Sequence, residues 1–238
     1  RAVGRAPSGG VKAESVAMEG MSSQPAGTVE PVSPTQAAWL AERLGEAGPF
    51  ELTYLSGGNS NETLLLTTPT RKAILRRPPR ATLSPSAHSM EREFRVLSAV
   101  ADTDVPAPKP LALAGPDDEG GPFLVMECVD GFPILDDLPP AYPPGLDSLR
   151  SVGLATMEAL AKLHSVDWRA AGLEGFGRPE GFIERQVSRW RGQFESYQVR
   201  EIPDFDWLAE WLEANRPPAG EPGILHGDFH LDNCLFAH

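Results

Sequence analysis

Positive charge is in short supply: 21 Lys and Arg stand against 33 Asp and Glu, for a formal net charge of -12. A field of that sign excludes a broad nucleic-acid surface, although a local basic pocket can still hold an anion. Cysteine is nearly missing as well. Cys128 and Cys234 are the two present, too few for a disulfide framework, and nothing points to an oxidising compartment. No apolar run approaches the roughly 18 residues that a membrane-spanning helix needs. The first stretch also lacks the apolar segment of a secretory leader. Together these absences predict a cytoplasmic protein with no nucleic-acid or membrane partner. Methionine is missing from position 1, where Arg stands, so a natural start is expected at Met18 or Met21.

What is present is an ordinary globular balance, 41% hydrophobic and 23% charged over 238 residues. A chain of that length can bury roughly 70% of its unfolded surface, as one large domain or two small lobes. Residues 1–32 are rich in Gly, Ser, Ala and Pro without an apolar period, which predicts a disordered tail. At Ser33-Pro-Thr-Gln36 a capping-box pattern with Pro at the first helical position opens a helix. Trp39, Leu40 and Leu44 give that helix an apolar face, and Gly45 and Gly48 end it.

Strand signals follow at Phe50/Leu52/Tyr54, Leu64–Thr67 and Ala73–Arg76, the first two joined by the turn Gly57-Gly-Asn-Ser-Asn61. A helix is predicted from about residue 88 to 101, with Phe94, Leu97 and Val100 at helical spacing, then strands near 111–114 and 123–128. Beyond a Pro-rich link at 133–144 the pattern turns helical, over about 148–165, 181–198 and 204–215. A short strand is expected at Gly223-Ile-Leu-His226, and another begins at Cys234. The order predicts an α+β protein of two lobes: an antiparallel sheet with a helix over 33–128, and a mostly helical part over 129–238.

The stretch His226-Gly-Asp-Phe-His-Leu-Asp-Asn233 has the frame H-x-D-x-x-x-x-N, the spacing of a kinase catalytic loop. An Asp must meet an attacking hydroxyl while an amide oxygen five residues later turns back to a Mg²⁺ at the phosphates. Upstream, and in the order such a site requires, stand a glycine turn (Gly57, Gly58), a strand cation (Arg76), a helix glutamate (Glu93) and a linker (Val125-Met-Glu-Cys128 into Asp130-Gly131).

On these residues the chain resembles the aminoglycoside phosphotransferase family, also called the choline/aminoglycoside kinase-like group, from about Thr35 to the end. Within it the chain looks most similar to the kinase-like domain of acyl-CoA dehydrogenase family members 10 and 11 and their bacterial relatives. The segments carrying that likeness are Ser56–Asn61, Leu75–Pro79, Ala87–Glu93, Phe176–Pro179 and Arg185–Trp190. The resemblance implies a bilobal protein-kinase-like fold, ATP as phosphoryl donor, Mg²⁺, and a small-molecule hydroxyl as acceptor. It implies that Asp228 orients or deprotonates that hydroxyl and that Asn233 binds Mg²⁺. Arg76 would hold the phosphates and Glu93 would fix Arg76. The backbone of Glu127, Cys128 and Val129 would receive adenine, and Gly57, Gly58, Asn59, Ser60 and Asn61 would cradle phosphate oxygens. His226 would brace the loop.

Three departures from the protein-kinase pattern stand out. The hairpin turn reads Gly57-Gly-Asn-Ser-Asn61 rather than G-x-G-x-x-G. The strand cation is Arg rather than Lys, a change a bidentate phosphate contact tolerates. The second metal-binding Asp expected after the catalytic loop does not occur before His238, so the fold is expected to be C-terminally truncated and incomplete for activity. Other readings of these residues remain open. Asp228 and Asn233 also suit a plain polar turn, and Glu93 a solvated helix face. The alternation His226/Asp228/His230/Asp232 suits a metal-dependent hydrolase. A non-catalytic nucleotide-binding fragment is the third alternative. Arg185, Arg189 and Arg191 form either an anion site or a solvated face, His164 has a structural role, and Trp190, Trp207 and Trp211 are expected in the core.

Overall fold

The computed structural model describes residues 31–56, 61–79, 89–135, 137–138 and 142–236. Nearly all of the expected tail, and the turn residues Gly57, Gly58, Asn59 and Ser60, lie outside them. The first helix, α1 (Pro34–Leu44), starts where its cap predicts. The Ser33 hydroxyl accepts the Gln36 amide at 3.1 Å, satisfying one of the amides a helix start leaves unpaired.

Five strands follow: β1 (Glu51–Ser56), β2 (Glu62–Thr67), β3 (Lys72–Arg77), β4 (Pro110–Ala114) and β5 (Phe123–Glu127). They form one antiparallel sheet in the order β1-β2-β3-β5-β4. The second helix, α2 (Met90–Val100), lies between β3 and β4 in the chain.

Alternation along the strands decides which side chain meets which helix. Leu64, Leu66, Ala73, Leu75, Phe123 and Val125 share one face with Leu40 of α1. Leu124 and Met126 take the other face, where Ile74 and Leu113 join Met90, Phe94 and Leu97 of α2. β5 is therefore buried from Phe123 to Met126 on both sides, which is why it reads as a continuous apolar run rather than an alternating one.

Beyond the linker come α3 (Leu146–His164), a 3-10 turn at Ile183–Arg185 leading into α4 (Gln186–Tyr197), and α5 (Phe205–Ala214). α4 and α5 meet through Phe194 and Phe205, whose ring centroids are 4.2 Å apart. Two expectations fail here. Trp190, Trp207 and Trp211 are exposed, not core, because apolar sides of α4 and α5 face outward among the described residues. Residues 223–226 form no strand: they pair with neither edge of the sheet, β1 or β4, each of which has one strand partner. The strand expected at Cys234 is reduced to one antiparallel bridge between Phe236 and Phe132. No helix among the described residues is long and apolar enough to cross a membrane.

Candidate active site

Arg76 and Glu93 meet. Register pairs Arg76 with Thr63 and with Leu124, so its side chain shares the α2 face of the sheet with Ile74 two residues earlier. Its Nη1 donates to Glu93 Oε1 of α2 at 2.5 Å, with both side chains largely covered. The plain solvated-helix reading of Glu93 therefore fails. Burial raises the Glu93 pKa above the usual carboxylate range, and the neighbouring guanidinium offsets only part of that. The Arg76 Nε is itself buried and has no hydrogen-bond partner among the described residues. Leaving such a donor unpaired is costly, so it marks a place where an external acceptor fits. Arg77 takes the opposite face and pairs with Glu62, its direct cross-strand neighbour, at 2.7 Å.

β3 also fixes a length. Ala73, at its far end, is opposite Glu127, while Arg76 stands beside the end from which the β1–β2 connection springs. Three residue rises of about 3.3 Å put roughly 10 Å between these points. The Glu127 amide is spent on the Lys109 carbonyl at 2.8 Å. The amides of Cys128 and Val129 make no backbone hydrogen bond among the described residues. Burial pushes the Cys128 thiol up, with Lys72 opposing. Asn61 stands immediately before β2.

The loop from His226 to Asn233 is held by its own side chains. The Asn233 amide nitrogen donates to the Asp228 carbonyl at 2.9 Å and to the Asp228 carboxylate at 3.0 Å, and lies 3.0 Å from the His230 ring. Asn233 ends a 3-10 turn, Leu231–Asn233, which carries it back over Asp228. The His226 ring nitrogen accepts the Asp228 amide at 3.3 Å and the ring packs edge-on against Phe229 at 5.2 Å, the bracing role expected of it. Gly227 between them has φ of +84°, a conformation that disfavours side chains. The Asp228 side chain remains 78% exposed.

The Leu231–Asn233 turn breaks the alternation on which the metal-hydrolase reading depends. Among the described residues, no group of three or more His, Cys, Asp or Glu is placed to hold a metal ion. The alternative anion site dissolves too. Arg185 is spent on the carbonyls of Arg178 and Glu180, Arg191 on Glu195 and Asp206, and Arg189 lies over Trp190.

Two features were not foreseen from the sequence. Phe132 and Phe236 exchange backbone hydrogen bonds at 3.0 and 2.9 Å, tying the catalytic-loop side of the chain to the linker. Gly131 permits this, since a Cβ there would lie 2.8 Å from the Phe236 carbonyl oxygen. A cleft of about 860 Å³ also opens beside the loop, walled by Ile134, Leu138 and Tyr142, by Val152 and Met157 of α3, and by Phe229. Among the described residues, Asp137 is the one carboxylate lining it. Arg76–Glu93 and Asp228–Asn233 are thus each assembled, one pair in each lobe.

Residues 51–238 match the model of the phosphotransferase enzyme family. The chain is 38% identical over 192 residues to mouse acyl-CoA dehydrogenase family member 10, covering 79% of this chain and 18% of that protein. It is 38% identical over 206 residues to human acyl-CoA dehydrogenase family member 11, covering 84% of this chain and 26% of that one. The chain therefore spans about a quarter or less of these curated relatives. A crystal structure from Ralstonia eutropha, described as a candidate aminoglycoside phosphotransferase, superposes with a TM-score of 0.71 at 34% identity, covering 85% of this chain and 60% of that one. A macrolide 2'-phosphotransferase type I shares the fold at a TM-score of 0.52 and 20% identity, over 87% of this chain and 69% of that one. With its two-lobed kinase-like fold and these relatives, the chain belongs to the phosphotransferase enzyme family.

Proposed function

We propose that the chain serves a kinase that moves the γ-phosphoryl group of ATP, with Mg²⁺, onto a hydroxyl of a small molecule. The observation that carries this reading is the buried Nε of Arg76, without a hydrogen-bond partner among the described residues, beside its ion pair with Glu93. A phosphate oxygen satisfies it, and a guanidinium offers the planar fork that phosphate geometry suits. The roughly 10 Å along β3 from the Glu127 register to Arg76 supports adenine at the amides of Cys128 and Val129 and phosphates at Arg76. Gly57, Gly58, Asn59, Ser60 and Asn61 would cradle phosphate oxygens.

Asp228 takes the proton of the attacking hydroxyl as the acceptor oxygen bonds to the γ-phosphorus. The bond from that phosphorus to the bridging oxygen breaks, ADP leaves with the electron pair, and the proton passes on to water. The Asn233 amide nitrogen holds the Asp228 carboxylate in place, and its amide oxygen would be a metal ligand. Mg²⁺, when bound, supplies charge neutralisation at the phosphates. Positioning and electrostatics carry such a transfer.

The cleft beside Phe229 and His230 supports an acceptor with an apolar portion, such as a hydroxy acid or hydroxyacyl compound. An aminoglycoside-like polycation would meet, among the described residues, a single carboxylate, Asp137, in an otherwise mainly apolar wall. The test, run on the full-length protein, is transfer of label from γ-labelled ATP to a panel of alkyl hydroxy acids, hydroxyacyl thioesters and aminoglycosides. Label on the first two classes is the expected result. Label on aminoglycosides alone contradicts the acceptor reading. Nucleotide binding without any transfer makes the protein a non-catalytic nucleotide binder.

A further inference from the structure

Three of the five segments that carry the family likeness, Ala87–Glu93, Phe176–Pro179 and Arg185–Trp190, have side chains that the chemistry above leaves unused, and these are linked in a chain of contacts from Arg92 through Phe176 to Arg185. On α2, Arg92 and Arg95 are three residues apart and so share a face. Both reach out of the sheet lobe to the loop at 172–176. Arg92 donates to the Phe176 carbonyl at 3.1 Å, and Arg95 donates to the carbonyls of Glu174 at 2.7 Å and Gly172 at 3.3 Å. Both guanidinium groups also lie over the Phe176 ring, 4.1 and 5.7 Å from its centroid. A cation over an aromatic face is an oriented contact, and Arg suits it better than Lys.

The loop that offers Phe176 is itself braced. Leu173 is buried, its amide donates to the Trp168 carbonyl, and the Phe176 amide donates to the Leu173 carbonyl. Past Phe176, Arg185 grips the carbonyls of Arg178 and Glu180.

The helix so gripped carries Glu93, the partner of Arg76. On the sheet side α2 is held by the apolar contacts of Met90, Phe94 and Leu97 with Leu124 and Met126, which are non-directional, and by the single Arg76–Glu93 pair whose geometry is in question. The other directional side-chain contacts on α2 among the described residues come from the helical lobe. We propose that Phe176, gripped by Arg92 and Arg95, is a positioning residue: it latches α2 to the helical lobe, fixes the roll of Glu93, and so sets how well Arg76 holds a nucleotide phosphate. The proposal rests on the assignment of Arg76 to the phosphates.

The test is a double-mutant cycle between Phe176→Ala and Glu93→Gln, read as the dissociation constant for Mg·ATP in a fluorescence titration, together with amide exchange over residues 90–100. Phe176→Ala is expected to weaken binding by about 3- to 30-fold, and Phe176→Tyr, which keeps the aromatic face, to restore it. On the Glu93→Gln background the same truncation is expected to cost little more, because the latch acts through Glu93. Exchange over residues 90–100 should rise in Phe176→Ala while exchange in the sheet strands holds. Arg92→Gln, which leaves the ring in place, should reproduce these effects if Phe176→Ala folds poorly. An unchanged dissociation constant, or an equal loss on both backgrounds, overturns the latch. Wild-type protein that binds no Mg·ATP sinks the phosphate assignment instead, and the latch then stands or falls on the exchange of residues 90–100.

Discussion

The two halves of the site are built differently. Arg76–Glu93 lies between a sheet and a helix with both side chains largely covered, in a lobe whose core residues include Leu40, Leu64, Leu66, Ala114 and Phe123 at zero exposure. Asp228–Asn233 sits on a loop whose hydrogen bonds are internal, and its key carboxylate is open to solvent. The helices of that lobe keep Leu146, Leu154, Trp207 and Trp211 exposed. Few buried apolar contacts mean cheap local opening. The lesson is a division of labour. The lobe that would bind the phosphates is built on its own packed core and takes only the roll of α2 from Phe176, while the loop that would present the acceptor is held by its own hydrogen bonds and by Phe132–Phe236.

Two substitutions sharpen or break that comparison. Arg76→Ala has the larger expected effect. Losing charge-assisted contacts of about 1.5–3 kcal/mol should raise the Mg·ATP dissociation constant by roughly 10- to 100-fold, measured by titration, while the loop around Asp228 keeps its exchange pattern. Loss of protection at both places would mean the halves are not separable.

Glu93→Gln acts on a smaller scale and through pH. Folding raises the Glu93 pKa, so the folded state holds that proton more tightly than the unfolded chain does. Its contribution to stability is full below the ordinary carboxylate range and is lost as pH rises through the folded value. The Gln variant is therefore expected to be at least as stable as wild type at neutral pH. Its melting temperature should also depend less on pH between the carboxylate range and neutrality, and thermal melts across that interval check both points. A variant markedly less stable at neutral pH would show that the ion pair outweighs burial.

Much of this was legible in the sequence because the signals are local. Ser33 and Pro34 announce α1, alternation announces β1 to β3, and H-x-D-x-x-x-x-N announces a loop in which Asn233 returns to Asp228. Arg76 and Glu93 could be paired from the resemblance before any contact was seen. The failures have physical causes. Residues 223–226 look like a strand by composition, but strand formation depends on a neighbouring edge that composition does not report. Trp190, Trp207 and Trp211 look like core because aromatic residues usually pay their way by burial, yet their helices turn them outward. The latch was invisible because Arg92 and Phe176 are 84 residues apart and neither follows a period.

The most direct test of the division of labour is Asp228→Asn in the full-length protein, followed in one preparation by Mg·ATP titration and by label transfer to an alkyl hydroxy acid. The substitution keeps the side chain's size and removes its basicity. Turnover is expected to fall by about 10²- to 10⁴-fold with the nucleotide dissociation constant unchanged. Equal loss of binding and turnover, or turnover that survives intact, would contradict the account.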